Sequence, residues 1–261
     1  MTPQKTVRDF TLTSSASLGA NYGLLTLRAD GPIPAVSPGQ FAQVRVDRSK
    51  PTFLRRPISI CSARPEEGEV ELLIRRAGPG TASLIETPVG ERINLLLPLG
   101  RGFSIPQTDP AETRLLLVGG GVGVAPLHAL GLELKARGYE PEFLLGARTA
   151  GDLLLLERFE GLGTVHLTTD DGSRGTRGVV TAHQRMHRGA DMVYCCGPKP
   201  MMVAVAAAAA RQGAPCEVSL ENMMACGLGA CLCCVEKTVR GNVCVCTEGP
   251  VFNTNQLTWQ D

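Results

Sequence analysis

The sequence predicts a β + α/β fold: an N-terminal antiparallel β-barrel, then a doubly wound parallel sheet, then a small C-terminal cysteine-rich subdomain. Three observations lead there. From Lys5 to Phe103, short β-type runs are broken by glycine and proline at the spacing of an antiparallel barrel or sandwich. After Ser104–Thr113, a polar segment with two prolines, the rhythm changes to strands alternating with helices, as in a parallel doubly wound sheet. Beyond that, six cysteines crowd into the twenty-one residues from Cys226 to Cys246. The expected units are residues 1–105, 106–214 and 215–261. The last is too short for its own apolar core and needs a metal group to hold it together.

In the first unit the β-type runs read YGLLTLRA, GQFAQVRV, RPISICSA, EVELLIRR and RINLLLPLG, with no long helix among them. The second unit opens on RLLLVGGGVGVAPL, an apolar strand entering the glycine turn Gly119-Gly120-Gly121-Val122-Gly123, followed by a helix that ends near Gly138. At such a turn, backbone N–H groups and the helix dipole receive a pyrophosphate. The match to G-x-G-x-x-G is incomplete, because Pro126 falls in the first helical turn, where proline is tolerated. A purely structural turn is the plain alternative.

The series continues with the strand EFLLG, a helix over Asp152–Phe159, the strand VHLTT, a helix after Val179, the strand DMVYCCG and a helix over Pro200–Gly213. A second glycine turn, Cys196-Gly197-Pro198, ends the DMVYCCG strand. Ligands bind at strand C-termini in this class of sheet, which sets Cys196 and Gly119–Gly123 to face one nucleotide. Equally, Cys196 is readable as a small buried hydrophobe.

The 261 residues carry a net charge of +1 from 26 basic and 25 acidic side chains, which offers no field for nucleic acid and no polybasic run for a membrane. Nine of the ten cysteines lie beyond position 194, unlike a disulfide framework spread over a secreted fold, so a reducing cytoplasm is expected. The N-terminus MTPQKTVRDFTL has no signal-peptide pattern, and the longest apolar stretch, the ten residues Met201–Ala210, is about half a bilayer span.

Cys226, Cys231 and Cys234 stand at C-x4-C-x2-C, the spacing of a plant-type two-iron ferredoxin loop, which takes one further distant cysteine. Gly227 and Gly229 allow the tight curl around an inorganic core. A structural zinc ribbon or a row of free thiols is the alternative, although zinc motifs usually come as paired C-x2-C knuckles. Periodicity does not choose between Cys244 and Cys246, which share one side of a strand, and Cys233 is wedged between two ligands.

In the barrel, Arg56-Pro57-Ile58-Ser59 and Gly78-Pro79-Gly80-Thr81 supply an arginine fork and an N–H-rich turn, together suited to a phosphate-bearing cofactor. Each alone is more often a solvated surface feature. The histidines His128, His166, His183 and His187 receive no role: His183 and His187 are four apart, but no third ligand lies near them in the sequence. No Ser/His/Asp set or carboxylate pair stands out, which argues against hydrolysis.

Taken in order, LRRPISI, GPGT, PLGRGF, GGGVGVAPL, GAR, TDDGSRGTRGVVT, CGPKPMM, SLENMMACGLGAC and VCTEGPVF resemble the ferredoxin-reductase-like flavoproteins. Within them, the similarity is to the electron-transfer subunits of type B dihydroorotate dehydrogenases. The resemblance implies an FAD barrel, an NAD domain and a 2Fe-2S subdomain. It implies Arg56 on the FAD pyrophosphate and Pro57, Ile58 and Ser59 along the flavin, with Ser59 nearest the isoalloxazine ring. Leu73, Ile74, Arg75, Gly80 and Thr81 complete that site.

By the same resemblance, Gly119, Gly120, Gly121 and Gly123 face the NAD pyrophosphate, Cys196 lies beside the nicotinamide, and Cys246 joins Cys226, Cys231 and Cys234 as the fourth ligand. Asp152, after GARTAG, falls near the ribose and repels a 2′-phosphate, whereas Arg148 attracts one; NAD is favoured over NADP. Since a 2Fe-2S cluster passes single electrons and NAD accepts a hydride, the flavin between them has to convert one into the other. Dihydroorotate oxidation would reside in an FMN-containing catalytic subunit, within a heterotetramer of two plus two, so no catalytic acid or base is expected here. The alternatives are a related reductase subunit serving a hydrogenase, a sulfide or sulfite system or a ferredoxin-linked transhydrogenase, and, from another class, a redox-sensing module without turnover.

Overall fold

Residues 4–259 are described in the computed structural model of this chain. Strands β1 (Thr6–Ser17), β2 (Tyr22–Ala29), β3 (Phe41–Val44), β4 (Arg56–Arg64), β5 (Glu69–Arg75) and β6 (Arg92–Leu99) close into an antiparallel barrel in the order β1-β2-β5-β4-β3-β6. Alternate residues such as Leu12, Leu25, Ile60, Leu72, Ile74 and Leu95 fill its interior, as the two-residue strand period dictates. The five β-type runs are all strands. β1 is the sixth, and it escaped the pattern because only Phe10 and Leu12 of its twelve residues are buried. A short helix, α1 (Pro79–Ile85), starts on the GPGT turn between β5 and β6.

The second layer system runs β7 (Leu115–Gly120), α2 (Val124–Ala136), β8 (Glu142–Ala147), α3 (Leu156–Glu160), β9 (Thr164–Thr169), β10 (Thr176–Arg177), β11 (Met192–Cys196), α4 (Lys199–Arg211) and β12 (Cys216–Ser219). The chain then leaves for the cysteine loop, a ribbon of β13 (Val235–Thr238) and β14 (Gly241–Cys244), and the one-turn helix α5 (Val245–Glu248), before returning as β15 (Val251–Asn253). The seven-stranded sheet has the order β10-β9-β8-β7-β11-β12-β15. All neighbours are parallel except β12 and β15. Strand order reverses between β7 and β11, the switch point where such sheets bind ligands.

Three expectations are revised. The sheet continues past residue 214, because Val193 pairs with Cys216 and β12 is simply the next strand after a helix. The cysteine-rich unit is therefore an excursion between two strands of the parallel domain. The region after Val179 is not an α-helix but two 3-10 turns, Val180–Ala182 and Gln184–His187; the His183 ring accepts the Arg185 N–H, a local bond that competes with helix. The helix expected over Asp152–Phe159 is split into a 3-10 turn, Ala150–Asp152, and α3, with Leu155 between them at φ 55°.

The PLGRGF segment joins all three parts. Phe103 stacks edge-on against Tyr194 at 5.5 Å, and the Tyr194 hydroxyl donates to the Ser104 carbonyl at 2.8 Å. Arg101 pairs with Glu248 at 2.7 Å, beyond the cysteine loop.

Candidate functional site

The two barrel motifs meet in space. A Cβ on Gly80 would stand 2.9 Å from the Arg56 Nε, so the start of α1 packs closely against this guanidinium. The Thr81 hydroxyl accepts the N–H groups of Ala77 (2.9 Å) and Gly78 (3.2 Å), fixing the turn that presents the first N–H groups of α1. A guanidinium beside unpaired helix N–H groups fits a pyrophosphate. Along β4, Ser59 is half-buried opposite Phe41 of β3. Of the next set, Leu73 and Ile74 point into two different cores, and Arg75 opens onto a cleft.

That cleft, about 570 Å³, lies between the barrel and the parallel sheet. Tyr22, Arg75 and Arg76 line it from the barrel side, and Gly120, Gly121 and Asp152 from the other. Gly121 takes φ +55° at the turn into α2. Gly123 is required for a different reason: a Cβ there would sit 2.5 Å from the Cys196 carbonyl oxygen. Cys196 is 1% exposed, and burial pushes its thiol well above the ordinary range, so it lies behind the cleft wall. Asp152 accepts the Thr149 hydroxyl at 2.9 Å, with Arg148 beside it on the cleft wall. Thus Gly121, Asp152 and Arg75 share one concavity, and Cys196 does not open onto it.

In the cysteine loop, sulfurs accept backbone N–H groups: Cys226 from Leu228 (3.3 Å), Cys246 from Gly229 (3.2 Å) and Cys234 from Cys246 (3.4 Å). The Leu228 N–H, with those of Cys231 and Ala230, draws the Cys226 thiol down to about 6, while burial and the neighbouring Cys234 push Cys246 up to about 12. Amide donors around sulfur are what thiolates on an iron–sulfur core receive, so this donor set fits the cluster. Cys233 turns away to the Met223 carbonyl at 3.6 Å, and Cys244 leans on the Gly229 carbonyl at 3.8 Å as a donor. Cys246 is the buried member of the Cys244/Cys246 pair. Among the described residues, no three donor side chains are gathered tightly enough to hold a bare metal ion.

Three features were not legible as site residues. Tyr22 reaches the glycine turn, its hydroxyl 3.9 Å from where a Gly121 Cβ would be. Glu221 opens a small cavity beside Gly197, and burial holds its carboxyl above the ordinary range, against the pull of Arg75. Gln43, fully buried on the outside of β3, donates to the Ala225 carbonyl at 3.4 Å and so grips the cysteine loop. The only sequence sign of Gln43 was an amide inside an apolar strand.

Two family models match: the iron-sulfur cluster binding domain of dihydroorotate dehydrogenase B over residues 221–258, and an oxidoreductase NAD-binding domain over residues 117–207. The chain is 40% identical over 224 residues to the dihydroorotate dehydrogenase B (NAD(+)) electron transfer subunit of Geobacillus kaustophilus, covering 84% of this chain and 86% of that one. With the subunit of the same name from Lysinibacillus sphaericus it shares 38% over 244 residues, 92% and 93% of the two chains. Among solved structures, that of an NADH-dependent reduced ferredoxin-NADP oxidoreductase superposes with a TM-score of 0.85 at 29% identity, covering 96% of this chain and 90% of its own. The ferredoxin reductase of carbazole 1,9a-dioxygenase, at TM-score 0.70 and 22% identity over 81% of this chain and 67% of its own, shares the fold.

Proposed function

Because this chain belongs to the family of dihydroorotate dehydrogenase B electron transfer subunits, we propose that it passes electrons from the FMN of a separate catalytic subunit, by way of a 2Fe-2S cluster and FAD, to NAD+ in pyrimidine biosynthesis. One observation supports the order of that relay. In the barrel, β4 lies between β5 and β3. β5 ends at Arg75 and is followed by Arg76, both in the nucleotide cleft, whereas β3 offers Gln43 to the cysteine loop. The Arg56–Ser59 segment of β4 therefore stands between the two sites.

In this proposal the barrel, residues 1–105, holds FAD, the parallel domain that begins after it and includes β12 and β15 holds NAD, and the excursion between those two strands holds the cluster. Arg56, Gly80 and Thr81 take the FAD pyrophosphate; Pro57, Ile58 and Ser59, with the backbone of Leu73–Arg75, border the ring. Gly119, Gly120, Gly121 and Gly123 receive the NAD pyrophosphate, Asp152 the ribose, and Cys196 backs the nicotinamide. Cys226, Cys231, Cys234 and Cys246 ligate the cluster. When bound, FAD supplies the conversion between single electrons and a hydride. Glu221 lines the small cavity beside Gly197, where burial holds its carboxyl above the ordinary range.

The acid–base chemistry on dihydroorotate belongs to the catalytic subunit. Its docking face here is the apolar rim of the cysteine loop, where Met223 is 83% and Leu232 65% exposed. The assembly is a cytoplasmic heterotetramer of two plus two; among the described residues no helix is long and apolar enough to cross a membrane.

The decisive experiment is dihydroorotate-dependent NAD+ reduction by this chain co-purified anaerobically with its host's catalytic subunit, compared with either alone. Activity in the complex only is the expected result. If no complex forms while this chain alone oxidises NADH with a dye, the partner is instead one of the related systems, such as the ferredoxin-linked transhydrogenase to which the 0.85 TM-score points.

A further inference from the structure

The barrel and the parallel domain are joined by a polar seam that the relay above does not use. β4 and β5 run in register on both sides of Cys61, Ile60 opposite Leu72 and Ser62 opposite Glu71, with Cys61 as the extra residue of a β-bulge. A bulge takes its residue out of the ladder and re-aims it. Here the freed Cys61 carbonyl points out of the barrel, where it accepts the His128 Nδ1–H at 3.0 Å; the Cys61 Sγ is 3.7 Å from the same nitrogen. His128 is 4% exposed in the second turn of α2, braced by the edge of Phe159 from α3 at 5.6 Å. Next along the bulge, Ser62 Oγ donates to Glu71 at 2.6 Å, and Arg158 of α3 closes on the same carboxylate with two N–H groups at 2.7 and 3.2 Å.

The seam is short in both directions. Cys61 is two residues beyond Ser59 on β4, and His128 is five residues beyond Gly123 on α2. The strand assigned to the flavin and the helix that starts on the nucleotide turn are thus joined by one buried hydrogen bond, with a bidentate ion pair bracketing it. Burial keeps His128 below its ordinary range, hence neutral and with a single ring N–H to place. The carbonyl acceptor fixes that proton on Nδ1.

We propose that His128, bonded to the bulged Cys61 carbonyl and flanked by the Glu71–Arg158 pair, is a positioning residue that sets the spacing between flavin and nicotinamide, on the basis of the function proposed above. A hydride passes only when donor and acceptor carbons meet at about 3–3.5 Å, and a displacement of about 1 Å loses on the order of a hundredfold in rate. A seam at the root of both supporting elements controls that distance without touching either ligand.

The test is anaerobic stopped-flow reduction of the flavin by NADH in the holoprotein. His128→Phe keeps the ring packing and loses the donor. It is expected to lower the limiting rate of flavin reduction at least about tenfold, with NADH Kd, FAD content and iron content unchanged. His128→Asn returns an N–H near the Nδ1 position and is expected to restore most of the rate. Arg158→Met, on a partly exposed side chain, tests the bracket independently should His128→Phe not fold, and a lowered limiting rate is expected there too. A limiting rate unchanged in His128→Phe, or in Arg158→Met where the first variant is insoluble, overturns the proposal and leaves the seam as a stabilising contact alone. A wild-type flavin that NADH does not reduce overturns the function reading itself, and this inference with it.

Discussion

The cleft between barrel and parallel sheet and the cysteine loop flank the same barrel strand, β4, but they are shaped by different forces. At the cleft, parallel ladders place Cys196 opposite Gly119 and Gly120 opposite Gly146, so the glycine turn is held by strands that exist for their own packing reasons. The loop from Leu220 to Cys234 has no ladder. It is held by N–H···S bonds, by Gln43, and by Gly227, whose Cβ would come 2.7 Å from the Gln43 Cγ. A site built on regular structure is shaped before its ligand arrives, whereas a site built on a loop depends on what it binds.

The largest expected effect falls on the loop. Cys231→Ser should abolish iron, acid-labile sulfide and the EPR signal while FAD stays bound; a full signal would remove Cys231 from the ligand set. The same assay sharpens the choice of fourth ligand. Cys246→Ser should lose the cluster and Cys244→Ser keep it, and the reverse result would exchange their roles.

On the cleft side, Gly123→Val forces a side chain against the Cys196 carbonyl, for about 1–3 kcal/mol of destabilisation. NADH affinity should fall while the cluster spectrum is unchanged, and normal NADH titration in a fully folded variant would detach this turn from the nucleotide. Smaller again, Arg56→Ala removes a charged donor whose hydrogen bonds contribute about 1.5–3 kcal/mol, so FAD should bind at least about tenfold more weakly. Undiminished flavin after exhaustive dialysis would count against that role.

The smallest effect concerns the seam between the regions. Burial lowers the His128 pKa from 6.5, so the unfolded chain takes up this proton first and stability declines as pH falls below about 6.5. Although burial alone would raise Glu71, its bonds to Arg158 and Ser62 hold it below 4.5, so its contribution is present above that value and is lost only in stronger acid. Between about pH 7.5 and 5.5 the wild-type Tm should therefore fall more than that of His128→Phe. Parallel Tm profiles would show that His128 is not the group responsible.

Much of the fold was legible because its signals are local. RPISICSA alternates with period two, RLLLVGGG runs from strand to glycine turn, and C-x4-C-x2-C marks a loop. β1 was not legible because its outer face is polar over most of its length, and its strand character comes from pairing with β2 and β6. The helix expected after Val179 failed because one histidine ring took a backbone N–H. His128 had no role in the sequence because its partner, Cys61, is 67 residues away and is exposed to it only by a bulge.

By itself, then, the sequence determined the glycine turns, the cysteine spacing and the order of the parts, all properties of neighbouring residues and their allowed backbone shapes. Tertiary structure alone decided that Gly80 meets Arg56, that Gln43 reaches Ala225 across 182 residues, that Glu71 meets Arg158 across 87, and that β12 and β15 enclose the cysteine loop within the parallel sheet. Contacts of that range follow from strand register and from how apolar faces pack together, and neither is written in any short stretch of chain.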